Sequence, residues 1–567
     1  MNKAAIMHRV ESNYCFPTST NSLELRLRFD KNDQIDEVTV LYGCKYSFYS
    51  EQKEQKMAFW LSDATFCYYK AIITLDDLRV AYIFKIKTGD KIYYFSNDGL
   101  TTDYSFKTAY YNFFQIAYIN ENDIIKEVSW ARDAIIYEIF IDRFWSGDNK
   151  RDKSYINMNW SDIPTPKSFA GGNLEGIIEK LDYLADLGIN TIYLTPIFKS
   201  ISNHKYDISN YYEISEHFGD KAVLKKLINE CHKKGMHVIL DAVFNHISML
   251  SKKFQDVIKR GKKSKYFDWF IIKGDYVDLE KVNYECFSSC AYMPKINTNN
   301  REASKYLIDV GKYYIKNYHI DGWRLDVSDE VSHDFWRTFR KEMKKCNKDV
   351  LLTGENWQDG SSYLKGDQFD GIMNYSFCRI LNDYFAFNKM DAISFVDALN
   401  NLLARYQTPI TNMNWSMLDS HDSYRFYTQV KENKQLALMA NAIMMMFQGI
   451  PCIYYGDEIP LKGGYDPDCR RCFDWKQINN DNHFYQLFKK LIHLRHDQRL
   501  KYGMLSIEAH NGIVYLKRTY QNKMITLALN NSGEDLPFSA SAVLISTLTK
   551  KEILGNQEFI IFESEAL

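Results

Sequence analysis

Short runs of alternating hydrophobic and polar residues fill roughly the first 125 positions of the chain. They lie at 23–29, 37–43, 69–75, 79–86 and 91–96, and Asp, Asn and Gly residues separate them. A period of two is typical of strands with one buried face, and this spacing is typical of an antiparallel sandwich. The pattern therefore predicts an N-terminal β-sandwich domain over 1–124.

From Trp130 onward, apolar strands alternate with amphipathic helices, such as the helical patterns at 176–188 and 222–235. Eight strand candidates follow in order, at 134–140, 189–196, 236–243, 322–327, 351–356, 371–377, 415–421 and 452–458. Their number and order predict an α/β fold, a (β/α)8 TIM barrel, over 125–500. The long segment after the third strand predicts an insertion subdomain at about 247–305, and 501–567 reads as a C-terminal antiparallel β-domain.

One uncharged stretch, from Leu436 to Tyr455, is apolar enough to raise the question of a membrane span. Asn441, Gln448 and Pro451 interrupt it, so a buried helix that leads into a buried strand is the better interpretation. The first residues carry no apolar segment with a cleavage site, and the 11 cysteines are odd in number and scattered. These features favour reduced thiols and a cytoplasmic protein.

Composition narrows the function by exclusion. The 567 residues include 71 Lys+Arg and 72 Asp+Glu, for a net charge of −1, which gives no field for sequence-independent nucleic-acid binding. The 41 Tyr, 35 Phe and 10 Trp make up 15% of the chain, and aromatic rings serve both cores and ligand stacking.

Acidic residues stand at the ends of four predicted barrel strands. Asp241 ends the third strand, Asp326 the fourth, Glu355 the fifth, and Asp419 and Asp422 the seventh. Each alone could be a helix cap, a loop ligand or half of a structural ion pair. Four strands that deliver acids to one rim are hard to explain by stability, because buried carboxylates are costly and barrel enzymes place their catalytic groups there.

Strand alternation places Arg324 on the same face as Asp326. A guanidinium there is expected to lower the pKa of Asp326 and keep it ionised, as a nucleophile requires. A second carboxyl in a drier setting would hold its proton, and this pairing is the apparatus of glycoside hydrolysis. The alternative of a metal-dependent barrel is disfavoured, because strand one carries no His.

Four segments resemble the sequence blocks of the α-amylase superfamily, glycoside hydrolase family 13. They are Asp241–His246, Gly322–Glu330, Gly354–Trp357 and Leu418–Asp422. The resemblance implies Asp326 as nucleophile, Glu355 as acid/base and Asp422 as the carboxylate that stabilises the transition state. It also implies a set of substrate contacts: Tyr206, Asp241, His246, Arg324, Glu330, Trp357 and His421.

Further segments are similar to the cyclomaltodextrinase, neopullulanase and maltogenic amylase group, namely Met293–Asn297, Gly449–Glu458, Asp466–Trp475 and the N-terminal region. The resemblance implies retaining hydrolysis of α-1,4-glucosidic bonds in cyclodextrins, maltodextrins or pullulan, with transglycosylation as a side reaction. It also implies a homodimer formed through the N-terminal domain, with an oligosaccharide as the other partner and neither nucleic acid nor membrane. A transglycosylase, an exo-acting α-glucosidase and a noncatalytic carbohydrate-binding protein on the same barrel are the alternatives.

The sequence departs from the family pattern in three places. Ser328 and Asp329 precede Glu330 where Ala and Asn are usual, and Asn356 replaces an aliphatic residue. In the calcium loop of many relatives, the corresponding ligands are Asp148, Asn149, Asp152, Gly172 and Asn173. Lys150 and Arg151 add positive charge there, so a structural Ca²⁺ is an open expectation, and no cofactor is expected for catalysis. Cys469 and Cys472 form a lone CxxC, which without a second pair does not indicate zinc.

Overall fold

A computed structural model describes residues 1–108, 111–147 and 151–565 of the chain. These residues group into two compact units. The first unit contains Met1–Glu127, Met390–Thr411 and Met504–Lys517, and the second contains Val128–Lys389, Asn412–Gly503 and Arg518–Leu567. The division into three domains expected from the sequence stays a prediction.

Two antiparallel sheets form the N-terminal part of the first unit, as the alternating pattern predicted. One has four strands: Cys15–Ser19, Ser22–Asp30, Ala58–Ser62 and Phe66–Thr74. The other has six: Glu37–Cys44, Lys53–Lys56, Val80–Thr88, Lys91–Ser96, Gly99–Thr101 and Phe114–Ile116. Leu23, Leu25 and Leu27 alternate along one strand and are buried with Val40 and Phe84 in a shared apolar core. The predicted β-sandwich is confirmed.

Eight parallel strands form the barrel sheet within the described part of the second unit, as predicted. In chain order they are Ile136–Ile139, Thr191–Leu194, His237–Ala242, Gly322–Leu325, Leu351–Gly354, Gly371–Ile372, Trp415–Ser416 and Ile450–Tyr454. Strands one and eight pair, and a parallel bridge between Met373 and Trp415 joins strands six and seven, so the sheet closes on itself. The strands bring their carboxyl ends to one rim.

Helices follow most of the barrel strands. Those of the second unit are Leu174–Glu179, Leu181–Leu187, Lys221–Lys233, Lys252–Arg260, Arg301–Tyr318, His333–Cys346, Tyr375–Leu381, Phe426–Gln429, Lys434–Met446, His483–Arg495 and Gln498–Tyr502. Ala392–Arg405 belongs to the first unit, and Thr408–Met413 follows it. Polar side chains begin several helices; for example, Asp220 accepts hydrogen bonds from the amides of Ala222 and Val223.

Local structure differs from the sequence pattern at three elements. The helix predicted at 176–188 is two helices that meet at Lys180. The sixth strand ends at Ile372, because Asn374 caps a helix that begins at Tyr375. The seventh strand ends at Ser416, so Asp419 and Asp422 lie on the loop after it. Periodicity marks a buried segment but does not fix where helix and strand change over.

The apolar stretch at 436–455 is the buried helix Lys434–Met446 followed by the barrel strand Ile450–Tyr454, as predicted. Across the described residues, none of the helices has the length and apolar character needed to cross a membrane.

The insertion after strand three and the chain beyond the barrel complete the architecture. The insertion contains the helix Lys252–Arg260 and isolated bridges such as Phe270 with Ile296. Strands after residue 503 are Met504–His510, Ile513–Tyr520, Lys523–Asn530, Leu536–Pro537, Val543–Ser546, Ile553–Leu554 and Glu558–Glu565. Lys523–Asn530 and Val543–Ser546 both pair antiparallel with Glu558–Glu565, which confirms the C-terminal antiparallel sheet.

Candidate active site

Parallel register brings the predicted residues together at the carboxyl rim of the barrel. Asp241 of strand three is the register partner of Arg324 on strand four. Asp326 directly follows strand four, and Glu355 directly follows strand five. Since adjacent parallel strands end side by side, side chains far apart in sequence become neighbours.

The guanidinium of Arg324 is the centre of this cluster. Its Nη1 lies 3.0 Å from Asp241 Oδ2 and 2.7 Å from Asp326 Oδ1, and its Nη2 lies 2.9 Å from Glu355 Oε2. Arg324 is fully buried, so these ion pairs are shielded from water. Asp326 and Glu355 contact neighbouring nitrogens of one planar group, which holds the two carboxyls a short distance apart.

Asp326 presents one unengaged oxygen. Its Oδ1 faces Arg324, while its buried Oδ2 has no hydrogen-bond partner among the described residues. A buried polar atom without a partner calls for an explanation, and an oxygen reserved for a reacting centre supplies one. Burial raises the pKa of Asp326 well above its usual range; Arg324 opposes this, and the carboxylates of Glu355 and Asp241 add to it. The expectation that Arg324 holds this pKa low is therefore wrong, because desolvation and like charges outweigh one guanidinium.

Glu355 has both oxygens engaged. Oε2 accepts a hydrogen bond from the backbone amide of Val327 at 2.9 Å, and Oε1 accepts one from Trp357 Nε1 at 3.1 Å. Burial raises the pKa of Glu355, Arg324 lowers it, and Asp422 raises it further. A carboxyl with a raised pKa can hold a proton near neutral pH, as a general acid must.

Two tyrosines orient Asp241. Its Oδ2 accepts hydrogen bonds from Tyr193 at 2.6 Å and from Tyr206 at 3.0 Å, besides its ion pair with Arg324. The Tyr206 ring is stacked on the His421 imidazole, with centroids 5.5 Å apart and an interplanar angle of 8°. The Tyr206 ring thus lies beside the carboxylates, and its contact with a sugar stays a prediction.

Asp422 has the opposite electrostatic setting from Glu355. His421 Nε2 lies 3.1 Å from its Oδ2, and Arg470 Nη2 lies 3.0 Å from its Oδ1. Burial raises the pKa of Asp422, but His421 and Arg470 outweigh it and hold the value below its usual range. One rim thus carries an ionised carboxylate beside carboxyls that tend to keep a proton.

Sequence reasoning missed Glu138 as a member of the site. This fully buried residue of strand one forms an ion pair with His421 Nδ1 and also accepts the His421 backbone amide at 3.3 Å. Burial lowers the pKa of His421, but Asp422 and Glu138 raise it above its usual value, which favours the imidazolium form. The sequence does carry a signal for Glu138: it is an acid within an apolar strand, and a buried acid needs a charged or hydrogen-bonding partner.

The remaining predicted contacts lie around this cluster. Trp357 is 45% exposed, and its ring is stacked 3.8 Å from that of Tyr375. His246 is buried, and burial lowers its pKa to about 3, against a smaller opposing effect of the Tyr206 backbone. A neutral imidazole offers one donor and one acceptor, which suits a sugar hydroxyl.

Glu330 lies apart from the carboxylate cluster. Its Oε2 is 3.2 Å from Lys295 Nζ, and the same ammonium donates to the Glu330 carbonyl at 3.0 Å. Glu330 and Asp329 line a cleft of about 350 Å³ that also includes Lys295, Asn297 and Tyr363. Asp329, which replaces the Asn usual in the family, therefore faces this open cleft.

The candidate calcium ligands do not form a suitable set of oxygens in the described residues. Asn173 Oδ1 accepts hydrogen bonds from the amides of Gly147 and Gly176, and Asp152 accepts both the amide and the hydroxyl of Ser154. Arg151 places its guanidinium 2.7 Å from Glu175. Gly172 approaches the backbone of Ile141 and Asp142 closely, while Asp148 and Asn149 lie outside the described residues. Within the described ranges, no group of three or more His, Cys, Asp or Glu side chains could hold a metal ion.

The two cysteines of the CxxC segment lie in the protein interior. Cys469 Sγ donates to the His421 carbonyl at 3.2 Å, and Cys472 is buried. All 11 cysteines are free thiols.

Comparison with known proteins agrees with this geometry. Residues 138–499 match the model of the α-amylase catalytic domain, and residues 1–120 match that of the α-amylase N-terminal Ig-like domain. The chain is 40% identical to a cyclomaltodextrinase of Thermoanaerobacter pseudethanolicus, with 94% of this chain and 93% of the relative covered. It is 36% identical to neopullulanase 2 of Thermoactinomyces vulgaris, with 98% and 96% covered. A solved cyclomaltodextrinase structure superposes with a TM-score of 0.90 at 34% identity, and covers 100% of this chain and 98% of that one.

Proposed function

Because the chain belongs to the α-amylase family of glycoside hydrolases, we propose that it is a retaining hydrolase of α-1,4-glucosidic bonds in cyclodextrins and maltodextrins, with Asp326 as nucleophile and Glu355 as acid/base. The observation that carries this assignment is the pair of carboxyls on neighbouring nitrogens of Arg324, with Asp326 Oδ2 unengaged. Retaining enzymes hold these groups about 5 Å apart, whereas inverting enzymes leave room for a water between them.

The reaction follows from these positions. Glu355 donates its proton to the glycosidic oxygen while Asp326 Oδ2 bonds to the anomeric carbon, and the bond to the leaving sugar breaks. Glu355, now ionised, takes a proton from water, whose oxygen displaces Asp326 with a second inversion. A sugar hydroxyl in place of water gives transglycosylation.

The surrounding groups stabilise the transition state. Asp422, held ionised by His421 and Arg470, would accept hydrogen bonds from ring hydroxyls more strongly as the sugar ring flattens. The Tyr206 ring would stack on the sugar at the cleavage point, and the Trp357 ring, 45% exposed, offers a further face for a sugar ring.

The direct test is Asp326→Asn, which keeps the shape of the side chain but removes the nucleophile. We expect hydrolysis of β-cyclodextrin and maltoheptaose to fall by at least about 10³-fold, with an unchanged circular dichroism spectrum and melting curve. Nuclear magnetic resonance of the first product should show the α-anomer. Substantial activity in the variant, or a β-anomer, would contradict the assignment.

Product chromatography separates the remaining activities. The names of the relatives point to cyclodextrin and pullulan as substrates, so maltose and glucose from cyclodextrin support the proposal. Inertness toward cyclodextrin would instead favour an exo-acting α-glucosidase.

We further propose a cytoplasmic homodimer that forms through the N-terminal region. The first unit exposes Tyr46, Tyr49, Phe59 and Ile72, side chains that an interface would cover. Free thiols at all 11 cysteines suit a reducing compartment, and one relative is named intracellular maltogenic amylase. Sedimentation velocity should give a dimer at working concentrations, whereas a fully active monomer would refute this.

A further inference from the structure

Two tyrosines that the proposed reaction does not use stand exposed at the rim of the barrel. Tyr424 is 45% and Tyr465 is 62% exposed, and their ring centroids lie 5.9 Å apart at an interplanar angle of 41°. Neither hydroxyl makes a hydrogen bond within the described part of the chain. Two large apolar faces therefore meet solvent side by side.

The backbone that carries these rings is firmly held. The Arg425 amide, next to Tyr424, donates to the Gly463 carbonyl at 3.1 Å, and the buried Arg425 side chain donates to the Cys469 carbonyl at 2.9 Å. On the other loop, the Asp468 amide donates to the Tyr465 carbonyl at 2.9 Å. The two loops are thus joined, and the tyrosines are displayed on a rigid base.

The tyrosine pair is continuous with the catalytic site. Tyr424 is two residues beyond Asp422, and Tyr465 precedes Asp466, whose carboxylate lies 2.8 Å from Arg470 Nη1. Arg470 in turn contacts Asp422 Oδ1 at 3.0 Å. These loops follow barrel strands seven and eight, across the ring from strands three and four, which carry the insertion and Glu330.

From this arrangement we infer that Tyr424 and Tyr465 form a binding subsite for a further glucose ring of the substrate chain. The inference rests on the proposed function, since it requires an α-glucan in the adjacent site. The C–H face of a pyranose is apolar, so it stacks on aromatic rings, while its hydroxyls remain in water. Because the backbone beneath both rings is already held, binding does not have to order these loops, which favours such a subsite.

Substrates of different length distinguish the loss of a distant subsite from a general loss of catalytic activity. The double variant Tyr424→Ala/Tyr465→Ala should lower kcat/KM for maltoheptaose about 10-fold and leave maltotriose within about 2-fold. The double variant Tyr424→Phe/Tyr465→Phe keeps the rings and should retain most activity on both substrates.

A second tyrosine pair provides a matched control. Tyr502 and Tyr520 lie 6.2 Å apart at 43°, and Tyr502 is 43% exposed. Tyr502 donates to Asp133, which precedes barrel strand one and so lies at the opposite end of the barrel. Tyr502→Ala/Tyr520→Ala should leave the ratio of the two kcat/KM values unchanged.

Calorimetric titration with maltoheptaose in the Asp326→Asn background separates this inference from the proposed function. We expect the added alanines to weaken binding about 10-fold. No change in Kd, or an equal kinetic loss on both chain lengths, would overturn the subsite. If the wild type hydrolyses no maltodextrin, the proposed function fails, and the titration still decides whether the tyrosines bind the glucan.

Discussion

At the scale of single residues, the site depends on one cation surrounded by acids. Arg324 contacts Asp241, Asp326 and Glu355 at once, so each carboxyl feels the charge on the others. The pKa values of Asp326 and Glu355 both rise, while that of Asp422 falls. Such coupled groups titrate as a set rather than singly.

This coupling predicts a bell-shaped pH dependence of kcat/KM. Asp326 must lose its proton to attack and Glu355 must keep its proton to act as an acid. Because both pKa values are raised, the active range should lie above that of ordinary carboxyls, which titrate near about 4. Activity should fall at high pH as Glu355 deprotonates.

The variant Glu355→Gln tests whether Glu355 causes the loss of activity at high pH. With an aryl maltoside whose leaving group needs no acid, the formation of the glycosyl-enzyme should continue, without the alkaline decline. A variant that keeps the same alkaline decline would assign that limb to another group.

A second prediction concerns Glu138, which we expect to position and charge His421 rather than to contact the substrate. In Glu138→Gln, His421 loses the charge that raises its pKa, so kcat/KM should fall about 10-fold and the pH profile should gain an alkaline loss, due to deprotonation of His421, that the wild type does not show. Besides Glu138, His421 contacts Tyr206, its neighbour Asp422 and Arg470, and the charge of Arg324 lowers its pKa; all four groups are unchanged in this variant.

The buried Glu458 offers the matched control. It accepts hydrogen bonds from Tyr137 at 2.5 Å and Tyr183 at 2.6 Å, away from His421. Glu458→Gln should change the melting temperature without moving the pH profile. If Glu138→Gln likewise alters only stability, its role is structural.

At the scale of elements, capping decides where several helices begin. Asp220 starts the helix Lys221–Lys233 by accepting the amides of Ala222 and Val223, each at 2.9 Å. Asp220→Ala should lower the free energy of unfolding by about 1 kcal/mol, and Asp220→Asn should recover most of it. Chemical denaturation measures both.

The stabilisation by the Asp220 cap depends on pH in a defined direction. The backbone amide of Val223 is the main cause that lowers the pKa of Asp220 in the folded state. A lowered folded pKa means that this stabilisation is present above the unfolded pKa and is lost as the pH falls through the folded value. The Asp220→Asn variant should not show that acid-side loss, and an identical acid dependence in both proteins would refute the role of the charge.

The barrel strands show which features the hydrophobic pattern predicts and which it does not. Periodicity predicted all eight barrel strands, yet strand six ends at Ile372 and strand seven at Ser416, several residues before the apolar pattern stops. The side chain of Asn374 caps the next helix through the amide of Phe377, a local contact that hydrophobicity does not report. Burial sets the pattern, whereas hydrogen bonds set the ends.

At the scale of the whole molecule, an ion pair lies among the candidate calcium ligands. Arg151 lies 2.7 Å from Glu175 and 3.5 Å from Asp220, and Asn173 is used as a helix cap. A guanidinium among these oxygens opposes a divalent cation electrostatically. Treatment with a chelator should therefore shift the melting temperature by less than about 1 °C, since ligand removal destabilises only a protein that binds the ligand.

Arg151→Ala provides the comparison for the chelator experiment. We expect this variant to melt at a lower temperature because Glu175 loses its partner, with or without chelator. A marked drop in the wild type that added calcium reverses would show that the remaining candidates, Asp148 and Asn149, complete a real site.

The sequence by itself determined the sandwich, the barrel and the acids at its rim, because burial imposes a period on each strand and barrel enzymes use strand ends. The tertiary structure alone decided which oxygens are free and which are held. Glu138 and Arg470 enter the site from strand one and from the loop after strand eight, far from Asp422 in the chain. Their contacts set the charge on His421 and Asp422. Desolvation reversed the expected pKa shift of Asp326, because the field at a buried group is the sum over neighbours that only folding brings together.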